Sequence, residues 1–299
     1  MDINTFQNLL LTGVLRGGLY ALMAVGLALV FGVMNICHFA HGEYYVIGAY
    51  AAYFAYVSFG LNPILAIIVA ALISFIAGAV TEKIFFMPLR RLNKGEWIMN
   101  AFLLTAGLSV ALQNTFKLVW GVRYRGITQY WDAAIEIFPG MAIAADRLVG
   151  LGIAILAILA LWFFLQKTNT GRAIRAVSQD ERGAMLVGIK LDRIYTLTFA
   201  LGSMFAGLGG ASLLSLTPAY PYAGVRPLIS SWFVVTIVGL GSVSGAIVGG
   251  FLVGVFESLS YYFLGQGWQD VASLAMLILL LLFKPSGLFG TKVKGVLER

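Results

Sequence analysis

Long apolar runs without a formal charge recur along most of the chain. A helix needs about 20 apolar residues to cross about 30 Å of hydrocarbon. Arg16 and His38 enclose 21 residues with no formal charge, and Glu43 and Glu82 enclose 38. Asn62-Pro63 reads as a turn that divides the longer run into two spans. Glu96 to Lys117 and Arg147 to Lys167 bound one span each, and Arg193 to Arg226 holds another before the turn-like Thr217-Pro218 and Pro221. The run from Arg226 to Glu257 is interrupted by Gly239-Leu240-Gly241-Ser242-Val243-Ser244-Gly245, and Asp270 to Lys284 closes the series. With 60% hydrophobic and 11% charged residues, the chain departs from the roughly 45–50% apolar and 25% charged composition of soluble domains. A water-soluble core of this size has no room for so much apolar side chain. A soluble enzyme, a disordered tail and a secreted disulfide scaffold are excluded. The sequence predicts an all-α, polytopic helical membrane protein of eight to nine segments, with a broken or short helix near 228–245.

Charge placement selects nine. Residues 82–96 carry Lys83, Arg90, Arg91 and Lys94; residues 167–193 carry Lys167, Arg172, Arg175, Arg182, Lys190 and Arg193; the tail carries Lys284, Lys292, Lys294 and Arg299. These three stretches hold 14 of the 20 Lys and Arg residues. The positive-inside rule puts all three on the cytoplasmic side. That requires an even number of crossings between residue 193 and the tail, hence a turn at the Gly/Ser break. Counting back places the N-terminus outside and the C-terminus in the cytoplasm. The net charge of +7 then reflects basic loops against an anionic leaflet and calls for no nucleic-acid partner. Asp2 and the lack of a basic stretch before the first apolar run predict no cleaved signal peptide. The chain reads as one transmembrane domain over 1–299, with an exterior loop at 117–147 and a cytoplasmic segment at 167–193.

Glycine is abundant, 35 of 299 residues against about 7% in average proteins. Gly241, Gly245 and Gly249 recur at spacing four, as do Gly250 and Gly254, the pattern that lets helices approach closely in lipid. The break at Gly239, Gly241, Ser242 and Gly245 leaves backbone groups that lipid cannot satisfy. A neighbouring helix, water or a permeating ligand must meet them. Ionisable residues inside spans mark transport chemistry, and they are scarce here. Asn35, His38, His41 and Glu43 form one cluster between the first two spans. They can cap the helix break, relay protons, since histidine titrates near neutral pH, or line the permeation path. The spacing is too loose for a metal site, and the single Cys37 reads as a packing residue. Glu257 is expected at the outer interface.

The segment 167–193 is much longer than the 2–8 residues that join neighbouring helices. Gly171 to Val177 reads as a short basic helix. Ser178 or Asp180 can cap a second one that runs through Ala184 and Met185 and stops at Gly188. Ala184, Met185 and Val187 would form an apolar knob flanked by Asp180, Glu181 and Arg182. Such a module suits docking of a cytosolic protein; adhesion to the membrane surface is the other reading.

Gly-Leu-Ala-Leu-Val-Phe-Gly-Val-Met-Asn (26–35) followed by His-Phe-Ala-His-Gly-Glu (38–43) resembles the opening of permease subunits of branched-chain amino acid ABC importers, the LivH-like family. Thr170 to Ala176 with Asp180 and Ala184 to Ile189, Phe199 to Ser203 with Ala206-Gly207, Gly239 to Ser242, and Phe283 to Gly290 are similar to that family in the same order. The resemblance implies half of a translocator. It would work with a second homologous permease, two cytosolic ATPases and a periplasmic substrate-binding protein. It implies no enzyme and no cofactor on this chain, with ATP and Mg held by the ATPases; the sequence agrees in lacking a G-x-x-x-x-G-K-[ST] phosphate loop. Gly171, Arg172, Arg175, Asp180, Glu181, Ala184, Gly188 and Ile189 would then couple to an ATPase. Gly183 departs from a good helix there, since glycine costs about 1 kcal/mol relative to alanine. Lys117, Arg123 and Arg125, with Asp132, Glu136 and Asp146, offer a landing surface for the binding protein. Urea, amides and other amino acids are alternative cargoes, and a proton-coupled carrier using His38, His41 and Glu43, or a passive pore, are rival mechanisms.

Overall fold

The computed structural model describes residues 3–92, 97–138 and 141–290. Helix α1 (Ile3–Met34) is followed by α2 (His41–Tyr53), which continues through a π-helical turn at Phe54–Ser58. Helix α3 (Pro63–Thr81) runs on through a second π turn, Glu82–Phe86, into α4 (Met87–Leu92), and α5 spans Trp97–Trp120. A two-stranded antiparallel hairpin, β1 (Ala134–Phe138) and β2 (Met141–Ala144), precedes α6 (Ala145–Lys167). Two short helices follow, α7 (Asn169–Gln179) and α8 (Glu181–Leu186), then α9 (Leu191–Ser212), α10 (Val225–Val238), α11 (Val243–Leu264) and α12 (Gln269–Phe283).

Among the described residues, six helices are long and apolar enough to cross a membrane, with α10 and the end of α12 as shorter apolar helices. The protein is an all-α polytopic membrane protein, and the Gly/Ser break is a true turn between two helices. Helix α10, at 14 residues, is only about 21 Å long, short of the hydrocarbon thickness.

Local chemistry explains the boundaries. Asn62 Oδ1 accepts the Leu65 amide at 2.8 Å and Pro63 occupies the first position of α3, where a missing N–H has no consequence. Ser242 Oγ caps α11 by accepting from Gly245 N, and Gly239 ends α10 with φ +103°. Charge-bounded segmentation fails at three places. Arg16 lies inside α1, Glu82 lies inside the continuous α3–α4 run, and Glu257 lies inside α11 rather than at an outer interface. Each has partners or space inside the bundle, described below.

Glycine contacts hold α1, the central helix, in place. A Cβ on Gly254 would sit 2.4 Å from Gly17 Cα, and one on Gly250 2.5 Å from Ala21 Cα. Lower down, Gly32 meets Gly241, so α1 and α11 run antiparallel with backbones in contact. The α3–α9 pair uses the same device, Gly207 receiving Ser74 and Gly78 receiving Ser203.

Candidate functional site

The candidates in 167–193 form a built module. Thr168 Oγ1 accepts the Gly171 amide at 2.9 Å and starts α7, which buries Gly171, Ile174 and Val177. Glycine is needed at 171 because a Cβ would lie 2.2 Å from Phe164 O on α6. Arg175 reaches Gln166 at 2.8 Å, while Arg172 bonds Asn169 and is otherwise exposed. Asp180, not Ser178, caps α8: its Oδ1 accepts from Arg182 N at 3.1 Å. Gly183 has its reason here, since a Cβ would fall 2.4 Å from the capping carboxylate. Gly188, at φ +85°, closes the helix by donating to Met185 O, and Ile189 N donates to Ala184 O. Ala184 turns inward and is buried, so it is no part of the apolar knob. Met185, Leu186 and Val187 form that knob, with Leu186 at 89% exposure.

A charged network beside this module went unnoticed in the sequence. Glu82, completely buried, pairs with Arg90 at 2.6 Å and accepts from Thr196. Arg90 also reaches Asp192 at 3.1 Å and stacks over Tyr195 at 4.6 Å, while Arg91 meets the other Asp192 oxygen at 2.9 Å. Tyr195 in turn lies within electrostatic reach of Glu181 at the start of α8. Lys83, Arg90 and Arg91 had been read only for sidedness; the spacing Glu82 to Arg90 spans two helical turns (i, i+8), a signal that the intervening π turn obscures. Lys94, Lys292, Lys294 and Arg299 lie outside the described residues.

The central candidates separate into two groups. Asn35 ends α1 in the left-handed region (φ +55°) and is exposed. His38 and His41 are buried with ring centroids 5.5 Å apart, and His41 Nε2 lies 3.2 Å from Met23 O. Glu43 Oε1 accepts from Ser109 Oγ at 2.9 Å and Gln113 Nε2 at 2.8 Å on α5. Gly239, Gly241, Ser242 and Gly245 lie elsewhere, against α1 and the chain after α12. Leu288 N and Phe289 N donate at 2.8 Å to Ile237 O and Val238 O, so the end of α10 is satisfied by the tail segment. Gly241 and Ser242 instead join Arg175 and Ser178 around a cavity of about 300 Å³ between α1, α6 and α7. Among the described residues, no group of three or more His, Cys, Asp and Glu side chains is placed to hold a metal ion.

At the opposite end, residues 121–138 and 141–144 fold onto the bundle. Asp146 accepts the amides of Tyr130 and Trp131 at 2.9 and 3.0 Å, and Arg125 and Ala219 exchange backbone hydrogen bonds at 2.9 and 2.8 Å. Burial, and then the Asp146 carboxylate, push the Tyr130 hydroxyl above its ordinary range. Arg125 and Asp146 are thus internal ties; Lys117, Arg123, Asp132 and Glu136 retain at least partial exposure. Below them opens a cavity of about 560 Å³ lined by α1, α2, α6 and α9 to α11. Glu257 is buried beside this region, accepting from Tyr20 Oη at 2.7 Å.

Comparison with known proteins agrees with this architecture. Residues 9–281 match the family described as branched-chain amino acid transport system / permease component. The chain is 31% identical to the high-affinity branched-chain amino acid transport system permease protein LivH of Salmonella typhimurium, over 95% of this chain and 96% of that one. It is 29% identical to BraD of Pseudomonas aeruginosa, a permease protein of the same description, over 97% of each. LivM of Salmonella typhimurium, also a permease protein of such a system, is 24% identical over 90% of this chain and 67% of its own length. No solved structure matches the chain. The glycine-sealed helical bundle, the capped basic module after α6 and the match across residues 9–281 together make this chain a member of the branched-chain amino acid transport permease family.

Proposed function

We propose that this permease imports branched-chain or chemically similar amino acids as one half of an ABC translocator in a bacterial inner membrane. The N-terminus would lie outside and the C-terminus in the cytoplasm. The α7–α8 module carries the proposal. Its exposed Met185-Leu186-Val187 knob sits on a helix with its own cap, and Glu181, Tyr195 and Arg90 link it to α9 and α4. An ATPase groove that receives the knob would displace α8. The Glu82–Arg90–Asp192 network would pass that displacement to α3 and α9, which glycines bring into close contact. Such a network suits transmission because a buried charge cannot part from its partner without a large cost.

A second permease, two ATPases that bind ATP and Mg, and a periplasmic binding protein complete the assembly; this chain hydrolyses nothing. Selectivity would rest with the binding protein, which fits the scarcity of ionisable groups along the spans. His38, His41 and Glu43, with Asn35, would form a rigid polar joint between α1 and α2. Leu186→Asp and the Asp180→Lys/Glu181→Lys double variant test the reading. Each should abolish co-purification of the ATPase and ATP-driven leucine uptake in proteoliposomes while leaving membrane insertion intact. Unchanged co-purification would refute the docking role, and uptake by this chain without ATPases would refute the importer reading.

A further inference from the structure

The 560 Å³ cavity at the end remote from the coupling module has a composition that packing alone does not explain. Arg16, Arg147 and Arg226 line it, and the only carboxylate in its lining is Asp146. Asp146 accepts one amide on each oxygen, from Tyr130 and Trp131, and makes no ion pair with the arginines among the described residues. No ion pair neutralises Arg16 or Arg147 among the described residues. Arg16 sits ten residues inside the apolar span Phe6–Met34, where an ionisable side chain is costly and calls for a function. The buried Ser212 hydroxyl lines the same cavity without a hydrogen-bond partner, and the buried Tyr45 side chain lies beside it. Leu15, Leu19, Leu213 and Leu216 supply the apolar part of the wall, beside threonine and tyrosine side chains. The volume falls within the roughly 300–1,000 Å³ of small-molecule sites.

We propose that this cavity is a binding site for the carboxylate of a small organic acid or zwitterion with an aliphatic side chain, held by Arg16, Arg147 and the Ser212 hydroxyl. A guanidinium matches a carboxylate with two parallel hydrogen bonds, the leucine wall takes the aliphatic part, and the orphaned hydroxyl supplies one more donor. The site deepens the importer reading by giving the permease its own receiving point for cargo released at that end.

The test is equilibrium binding of radiolabelled isovalerate, a branched monocarboxylate without an ammonium group, to the assembled transporter in nanodiscs without binding protein. Wild type should bind saturably. Arg16→Gln and Arg147→Gln should each weaken binding by about ten-fold or more, as expected for loss of one charge-assisted contact. Ser212→Ala should weaken it about three-fold, and Arg16→Lys should restore part of the loss. Isoamylamine and inorganic phosphate should not displace the probe. Co-purification of each variant with the ATPases verifies folding. No saturable binding by wild type, binding unchanged in both Gln variants, or equal displacement by isoamylamine or phosphate overturns the proposal. Loss of binding-protein-stimulated ATP hydrolysis with isovalerate binding intact also overturns it and assigns the arginines to docking. Isovalerate binding that persists where ATP-driven leucine uptake fails would refute the importer reading alone; uptake without isovalerate binding would refute the site alone.

Discussion

Replacing Gly254 by alanine adds a single methyl group at the tightest part of the α1–α11 seam. Its Cβ would lie 2.4 Å from Gly17 Cα and N and 2.6 Å from Gly13 O. All three neighbours are backbone atoms, which cannot swing aside. Ordinary carbon contacts need about 3.5 Å or more, so the two helices must part by about 1 Å. Separation would also open the neighbouring contact of Gly250 with Ala21, where a Cβ would lie 2.5 Å from Ala21 Cα. Overpacking of this kind costs about 1–3 kcal/mol, and in lipid no hydrophobic force returns the lost dispersion. Against this stands the better helix propensity of alanine, about 1 kcal/mol. The net expectation is a loss of up to about 2 kcal/mol, or a fall of up to a few degrees in apparent melting temperature. Gly107→Ala and Gly152→Ala are the internal controls, because a Cβ at either position meets nothing within 4 Å. They should be neutral or slightly stabilising. The readout is thermal unfolding in detergent, followed by size-exclusion chromatography of heated samples. A Gly254→Ala protein that melts with the two controls would refute the claim that glycine is required for this backbone contact.

Further expectations follow from the charged groups. Glu82→Gln leaves Arg90 short of its closest counter-charge in a site where its side chain is only 10% exposed, and should destabilise by about 3 kcal/mol or more. The Glu82→Gln/Arg90→Met double variant should recover part of that loss; a double variant as unstable as the sum of the two singles would refute the pairing. Asp146→Ala should release residues 121–138 by removing the acceptor of the Tyr130 and Trp131 amides, seen as faster hydrogen exchange at both with α9 unaffected. Unaltered exchange there would show that Arg125–Ala219 pairing suffices to hold the segment.

The sequence determined the helical membrane class, the turn at Asn62-Pro63 and the separation of α10 from α11, and it offered Asp180 as one of two caps for α8. These are local signals: an apolar run, a side-chain oxygen two or three residues before an amide, or a proline at a first turn is complete within a few positions. Only the tertiary structure decided the fate of Arg16, Glu82 and Glu257. As isolated charges they delimit spans, yet Tyr20 meets Glu257 across 237 residues and Thr196 meets Glu82 across 114. A charge may stay inside an apolar helix when a distant segment solvates it, and nothing in its own neighbourhood announces that partner. The same holds for the tail amides that satisfy α10 and for the arginine-lined cavity, whose walls come from six helices. Helix identity is written in periodicity and caps; the meeting of polar groups inside the bundle depends on which glycines let which helices touch.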